Sequence, residues 1–329
     1  MLPLPDSPPT LDEINTAATA LAGRIVRTPT VALSQAAFDD VLGGTASASM
    51  KLELFQHAGS FKARGNLLGI ERLNQEQREA GVVAASGGNH ALALSWAAAS
   101  EGVPATLVMP NKTDRLRVDA CVRLGAEVRL VDTVMDAMDA MDTIARDEGR
   151  TLMHPYEAAH MTLGAATLGA EILEDLPDID CMVVSVGGGG LISGVAAAIG
   201  QAKPDCEIIG VEPFGADSLW RSFEKGEAVQ LETVDTIADS LGAPMALPYS
   251  FSVARTFVDR VVRVDDAAMV AAMALMRDDL KLVAEPACAA ALAATAGPLR
   301  GALDGRNVCL LACGSNISAQ RYAELLGNR

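Results

Sequence analysis

The chain is predicted to be an α/β protein of two lobes, each built on a mostly parallel sheet flanked by helices. Three observations carry that prediction. From Gly81 onward, short apolar runs of strand character alternate with helical segments. The junctions are short and glycine-rich, as in Ser86-Gly87-Gly88-Asn89-His90 and Gly187-Gly188-Gly189-Gly190. Half of the 329 residues are hydrophobic and only 21% are charged, enough for one large domain or two closely packed ones.

Taken in order, Thr10-Leu-Asp-Glu13 reads as a capping box opening a helix that ends near Gly23. Arg27-Thr28-Pro29-Thr30 is extended, because the residue before proline avoids the α region. Lys51-Leu52-Glu53-Leu54 alternates like a strand, and a helix runs from the lysine stretch through Leu67, Leu68 and Ile70 toward Arg78. Further strands are expected at 82–85, 105–109, 128–131, 181–185, 207–211 and 307–312. Helices are expected at 91–100, 113–124 (capped by Gly125), 134–148, 192–200, 267–279 and 318–326. Met135, Met138 and Met141 recur near helical spacing and predict a core-facing stripe. The α/β units around 81–157 and 158–329 suggest two lobes with a cleft between them.

Composition narrows the partners. Net charge is −16 and no basic block occurs, which argues against nucleic acid and anionic membrane surfaces. The cysteines at 121, 181, 206, 288, 309 and 313 form no Cys-x-x-Cys pair, and no His-x-x-x-His accompanies them. A zinc site or disulfide framework is therefore not expected, and a reducing cytoplasm is. The first nine residues lack the basic and apolar regions of a secretory signal, and no apolar run spans a bilayer. The alanine-rich stretch from Pro286 to Pro298 reads as a buried helix.

Four stretches carry chemistry. In Gly59-Ser60-Phe61-Lys62-Ala63-Arg64-Gly65-Asn66, a lone lysine sits between an aromatic and a small residue, with glycines on both sides. A lysine desolvated there becomes a nucleophile able to form a Schiff base with an aldehyde. Most lysines are simply solvated charges, and it is the other three stretches that weigh against that reading here. Gly187 to Gly190 lies between an apolar strand and a helix start, the form of a phosphate cradle. Its rival is a dinucleotide site, with Gly188, Gly190 and Gly194 as the glycine pattern and Glu212 as the ribose acid. Ser86 to His90 offers backbone donors for a carboxylate, and the Asn89 amide suits a ring hydroxyl. His90 reads equally well as a satisfied structural histidine. Cys313-Gly314-Ser315-Asn316 places Cys313 at the carboxyl edge of a strand, where ligands bind, though a small buried hydrophobe is its plain alternative.

Six motifs in this order resemble the fold-type II pyridoxal phosphate enzymes, in the group of threonine and serine dehydratases and serine racemase. They are Ser60-Phe-Lys62-Ala-Arg-Gly65, Ser86 to His90, Ser185-Val-Gly-Gly-Gly-Gly-Leu191, Thr236-Ile-Ala-Asp239, Ala284-Glu-Pro286 and Cys313 to Asn316. The resemblance covers nearly the whole chain and implies a tryptophan synthase β-like fold. Residues 1–80 and 158–329 would form the large cofactor-binding domain, and 81–157 a small, mobile, substrate-side domain. Lys62 would hold pyridoxal 5'-phosphate and, once released, take the substrate α-proton, with Phe61 beside it. Gly187, Gly188, Gly189 and Gly190 with the N–H of Leu191 would hold the phosphate, Asn89 the ring hydroxyl, and Cys313 the ring nitrogen. Ser86, Gly87, Gly88, Asn89 and His90 would meet the substrate carboxylate. The implied activity removes water and then ammonia from a small β-hydroxy amino acid such as L-threonine or L-serine, in a cytoplasmic homodimer. Alternatives are serine racemase, a dehydratase of a bulkier hydroxy amino acid, β-replacement, and, in a different class, a Rossmann nucleotide-binding protein.

The sequence also departs from that pattern. Gly87 stands where racemases of this group carry a serine on the face opposite the lysine, so elimination with little racemisation is expected. Tyr156 stands where a smaller polar residue is common, which admits an altered β-substituent. No arginine is evident for a distal carboxylate. Glu212 and the carbonyl of Ala216 match part of a cation site, but Ser218 replaces an aspartate, so divalent binding is weakened and a monovalent ion is the alternative.

Overall fold

The computed structural model describes residues 2–33 and 36–327. Its strands are β1 (Thr30–Ala32), β2 (Ser47–Lys51), β3 (Val82–Ala85), β4 (Ala105–Pro110), β5 (Glu127–Val131), β6 (Thr151–Leu152), β7 (Cys181–Ser185), β8 (Glu207–Pro213), β9 (Arg260–Val264) and β10 (Asn307–Leu311). They form a six-stranded sheet in the order β1-β2-β10-β7-β8-β9 and a four-stranded sheet in the order β5-β4-β3-β6. Among the strand pairs of the described residues β1–β2 is antiparallel and the others are parallel. Parallel strands covered by helices on both faces are apolar throughout rather than alternating. Every residue of β4 and β7 is accordingly buried, and Val183 of β7 sits in register between Leu310 and Ile209.

The capping box at Thr10 and Glu13 forms as expected and opens the helix Leu11–Leu21. Pro286–Ala296 is a helix buried along nearly its whole length. Three expectations are corrected. The strand before the lysine stretch ends at Lys51, and Glu53–Phe55 is a 3-10 turn. Alternation was misleading there because Lys51, Leu52, Glu53 and Leu54 are all buried, the charged pair through ionic partners. The helix from Lys62 ends at Glu71, and Asn74 caps a separate helix, Gln75–Ala80. The methionine stripe does not face the core: Met135 is 68% exposed, Met138 38% and Met141 4%. Residues advance by about 100° each in a helix, so a three-residue repeat slips by roughly 60° per step. The buried face is instead Ala137, Met141 and Ile144.

The sequence reading did not foresee the longest helix, Ala159–Asp175. It packs backbone to backbone on two others. A Cβ on Gly164 would lie 2.3 Å from the Gly65 nitrogen of the helix Lys62–Glu71, and one on Gly194, in the helix Gly190–Ala202, 2.2 Å from the Thr162 carbonyl oxygen. The helices Leu11–Leu21 and Lys62–Glu71 also share a core with the four-stranded sheet, where Ile14 and Leu67 join Val82 and Leu107.

Candidate active site

The lysine stretch is fastened to the C-terminal end of β10. Ser60 bridges Gly314, the Phe61 N–H donates to the Cys313 carbonyl at 3.2 Å, and the Asn316 amide donates to the Ala58 carbonyl at 2.7 Å. Lys62 therefore begins its helix beside the mouth of the large sheet. Its amine donates to the Pro155 carbonyl at 2.8 Å and lies 4.8 Å from the centre of the Phe61 ring. Among the described residues no carboxylate pairs with it. Burial lowers its pKa to about 8, against the upward pull of Cys313 and Glu285. A lysine at that value holds a substantial neutral fraction near neutral pH, as a nucleophilic amine requires.

Gly187 to Gly190 connects β7 to the helix Gly190–Ala202. Their N–H groups find no acceptor among the described residues, so the loop presents a row of free donors at a helix N-terminus. Gly189 has φ +91°, a conformation costly for other residues. Gly188 lies against the Tyr156 ring, which a Cβ there would meet at 2.3 Å. The Tyr156 hydroxyl donates to the Met245 carbonyl at 3.3 Å, and burial raises the phenol to about 12, so it stays protonated. His154 Nδ1 accepts the Glu157 N–H at 2.8 Å, which assigns the ring proton to Nε2. Burial and then the Lys62 charge depress His154 to about 4, leaving it neutral. Glu157 is buried and caps the helix Pro248–Phe257 through the N–H groups of Tyr249 and Ser250.

The loop Ser86 to Gly88 joins β3 to the helix Asn89–Ser100, with the Gly88 N–H on the Ser86 hydroxyl at 3.3 Å. Asn89 gathers distant segments: it donates to Glu285 at 2.6 Å and Ser240 at 3.3 Å, and accepts from Asn316 at 2.7 Å. The two readings of His90 are resolved by its contacts. Nδ1 faces the Asn66 amide at 3.3 Å and Nε2 the Met153 carbonyl at 2.9 Å, and burial holds its pKa well below the usual range. Its ring is a satisfied core group, and only its backbone remains for the loop.

Cys313 is buried at the expected strand edge. Contact with the Cys288 thiol, then burial, pushes the Cys313 thiol well above its ordinary pKa, so it is neutral. Glu212 is buried and accepts the N–H groups of Leu219 and Trp220 at 3.0 and 2.7 Å, and burial raises it to about 8. Both carboxylate oxygens are engaged, so Glu212 does not present itself to a ribose. Ala216 is also buried; among the described residues the Ser218 hydroxyl has no partner and no group of three or more His, Cys, Asp or Glu gathers.

Sequence reasoning missed several groups in this cleft. Glu285 lay inside a quoted motif without a role; it is buried and raised to about 7 by burial and then Asp239. Arg117 reaches from the helix Arg115–Arg123 to Asp239 at 2.5 Å and the Asn316 carbonyl at 2.8 Å, bridging the two sheets' loops. The Pro155 carbonyl is a backbone atom and left no residue-type signal.

A lysine amine with no carboxylate partner among the described residues, together with a glycine loop of free N–H donors at a helix N-terminus, fits pyridoxal phosphate: the amine for its aldehyde, the loop for its phosphate. The class defined is the two-lobed pyridoxal phosphate enzyme. Residues 21–314 match the family described as "Pyridoxal-phosphate dependent enzyme", and the chain belongs to it. It is 45% identical over 284 residues to phenylserine dehydratase of Ralstonia pickettii, covering 86% of this chain and 87% of that one. It is 36% identical over 318 residues to L-threonine ammonia-lyase of Thermotoga maritima, covering 96% and 78%. Maize serine racemase superposes with a TM-score of 0.88 at 33% identity, covering 94% of this chain and 95% of that one. The protein is a pyridoxal phosphate-dependent lyase of fold type II, and the Rossmann nucleotide-binding alternative is set aside. No helix among the described residues is long and apolar enough to cross a membrane.

Proposed function

We propose that the protein dehydrates a β-hydroxy-α-amino acid to a 2-oxo acid and ammonia, and that its preferred substrate carries a bulky apolar or aryl group on the β-carbon. The observation that carries the reaction is Lys62, whose amine lies free of any carboxylate at about 8 and so can accept a proton near neutral pH. Bound pyridoxal phosphate supplies the electron sink for the α-carbon. Lys62 holds the cofactor and takes the α-proton. The N–H groups of Gly187 to Leu191 hold the phosphate, and those of the Ser86 to His90 loop hold the substrate carboxylate. Asn89, fixed by Glu285 and Asn316, would hold the ring hydroxyl, and the neutral Cys313 thiol would meet the ring nitrogen. Residues 81–157 serve as the substrate-side lobe.

Substrate size is supported by one observation: identity is higher to the phenylserine dehydratase than to the threonine ammonia-lyase. Steady-state assays of 2-oxo acid from phenylserine, L-threonine and L-serine test this. The highest kcat/KM is expected for phenylserine. Oxo acid from L-threonine or L-serine with none from phenylserine reverses the size assignment, and a holoenzyme inert toward all three removes the reaction.

A further inference from the structure

The two glycines of the Ser86 to Asn89 loop face different surroundings. A Cβ on Gly88 would meet nothing within 4 Å. A Cβ on Gly87 would lie 2.5 Å from Thr113 Oγ1 and 2.9 Å from Thr113 Cγ2, so the space of a residue-87 side chain is already filled by a threonine from another element. Thr113 follows β4, and its N–H is fixed on the Pro110 carbonyl at 2.9 Å. Its hydroxyl, by contrast, makes no hydrogen bond among the described residues. The segment is pressed onto the loop by Arg117, which approaches the Gly87 carbonyl at 3.5 Å while bound to Asn316 and Asp239. A free hydroxyl donor is thus held at the place where residue 87 itself offers none.

We propose that Thr113 is a substrate-binding residue, its hydroxyl donating to the substrate carboxylate beside Gly87 and replacing a side chain that the loop lacks. This rests on the loop's assignment as the carboxylate site. A carboxylate has about four lone-pair sites, more than the few loop N–H groups fill, and a hydroxyl donor to a charged acceptor strengthens binding severalfold or more. The packing has a second consequence. A side chain at Gly87 requires Thr113 to shift, so substitutions at the two positions are coupled.

The test uses holoenzyme and two ligands, the β-hydroxy amino acid and glycine, which has a carboxylate but no β-carbon. Thr113→Val keeps the shape and removes the donor. It is expected to raise KM, and the glycine Kd read from the cofactor's absorbance, by about tenfold with Tm unchanged. Thr113→Ser is expected to retain both. Gly87→Ser alone should lower Tm and raise KM, and adding Thr113→Ala should restore both. A Thr113→Val enzyme whose KM and glycine Kd stay within about twofold of the starting values overturns the proposal. So does a Gly87→Ser protein that folds and binds normally with Thr113 in place. A native holoenzyme whose absorbance responds to no amino acid overturns the loop's assignment itself, a result distinct from either.

Discussion

Lys51 and Lys62 flank one short loop, and the structure treats them oppositely. Lys51 is fully buried and ringed by acceptors: Asp175 at 2.9 Å, Glu171 at 3.2 Å and the Thr28 carbonyl at 2.8 Å. It belongs to a network in which the buried Arg64 pairs with Glu53 at 2.7 Å and with Glu171 at 2.7 Å. Lys62 is less buried, yet among the described residues its amine meets a carbonyl and an aromatic face and pairs with no carboxylate. Two buried charges in contact offset each other's desolvation, whereas an ammonium without a carboxylate gives up its proton more readily. The lesson is that reactivity follows from which partner is withheld, more than from depth. The anchored network lies next to the reactive amine in sequence, since Arg64 is on the same helical turn as Lys62.

The comparison can be broken in four ways. The largest effect is expected for Lys62→Ala, which should lose the cofactor's visible absorbance and reduce turnover on the order of 10³-fold or more. Retained turnover would show that another group does the chemistry. Lys51→Met should do the reverse, lowering stability while the refolded fraction still binds cofactor. A fully buried pair broken on one side costs about 3–5 kcal/mol. Asp175 and Glu171 keep Arg27 and Arg64 and are partly exposed, so about 2–3 kcal/mol in urea unfolding is the expectation. A stable Lys51→Met protein that cannot bind cofactor would invert the two roles.

Third, cofactor uptake by the apoprotein should accelerate as pH rises, with a midpoint near 8 rather than near the ordinary lysine value. The sign follows from the depressed pKa: the folded state releases its proton before the unfolded chain does. Between about 8 and the unfolded value the unfolded chain binds more protons, so this group also makes the apoprotein more stable as pH rises. A midpoint above 10 would mean that Lys62 is as solvated as a surface lysine. Fourth and smallest, Glu285→Gln removes a charge that pulls Lys62 upward, and should move the uptake midpoint down by less than about one pH unit. An upward move would mean that Glu285 acts on Lys62 other than by its charge.

Much of this was legible in the chain. Val82–Ala85 and residues 181–184 are short apolar runs shortly before a glycine loop, which is how a parallel strand covered on both faces reads. Lys62, the glycine loop and Cys313 likewise announced themselves by residue type beside a strand end. Other features gave no such signal. Ala159–Asp175 is buried on most sides and glycine-containing, so it shows little periodic polarity to mark it as a helix. Ser47–Lys51 is too polar to resemble a strand, because its pairing with β10 rather than its composition holds it. Arg117 and Asp239 are 122 residues apart, and Thr113 meets Gly87 only after β3 and β4 pair, so neither contact exists as a pattern in sequence.

The backbone contacts at Gly65, Gly164 and Gly194 bear on how such an enzyme can change over time. The helix that begins with Lys62 and the helix that begins at the phosphate loop both rest on Ala159–Asp175 with no side chain interposed at those glycines. The spacing between amine and loop is then set by main-chain dimensions, which substitutions at neighbouring side chains leave untouched. Thr113 and Gly87, proposed for the substrate end, take no part in those three contacts and can change together without altering them. A lineage built this way can vary its substrate end around a fixed frame, and the chain resembles relatives named for phenylserine, threonine and serine chemistry.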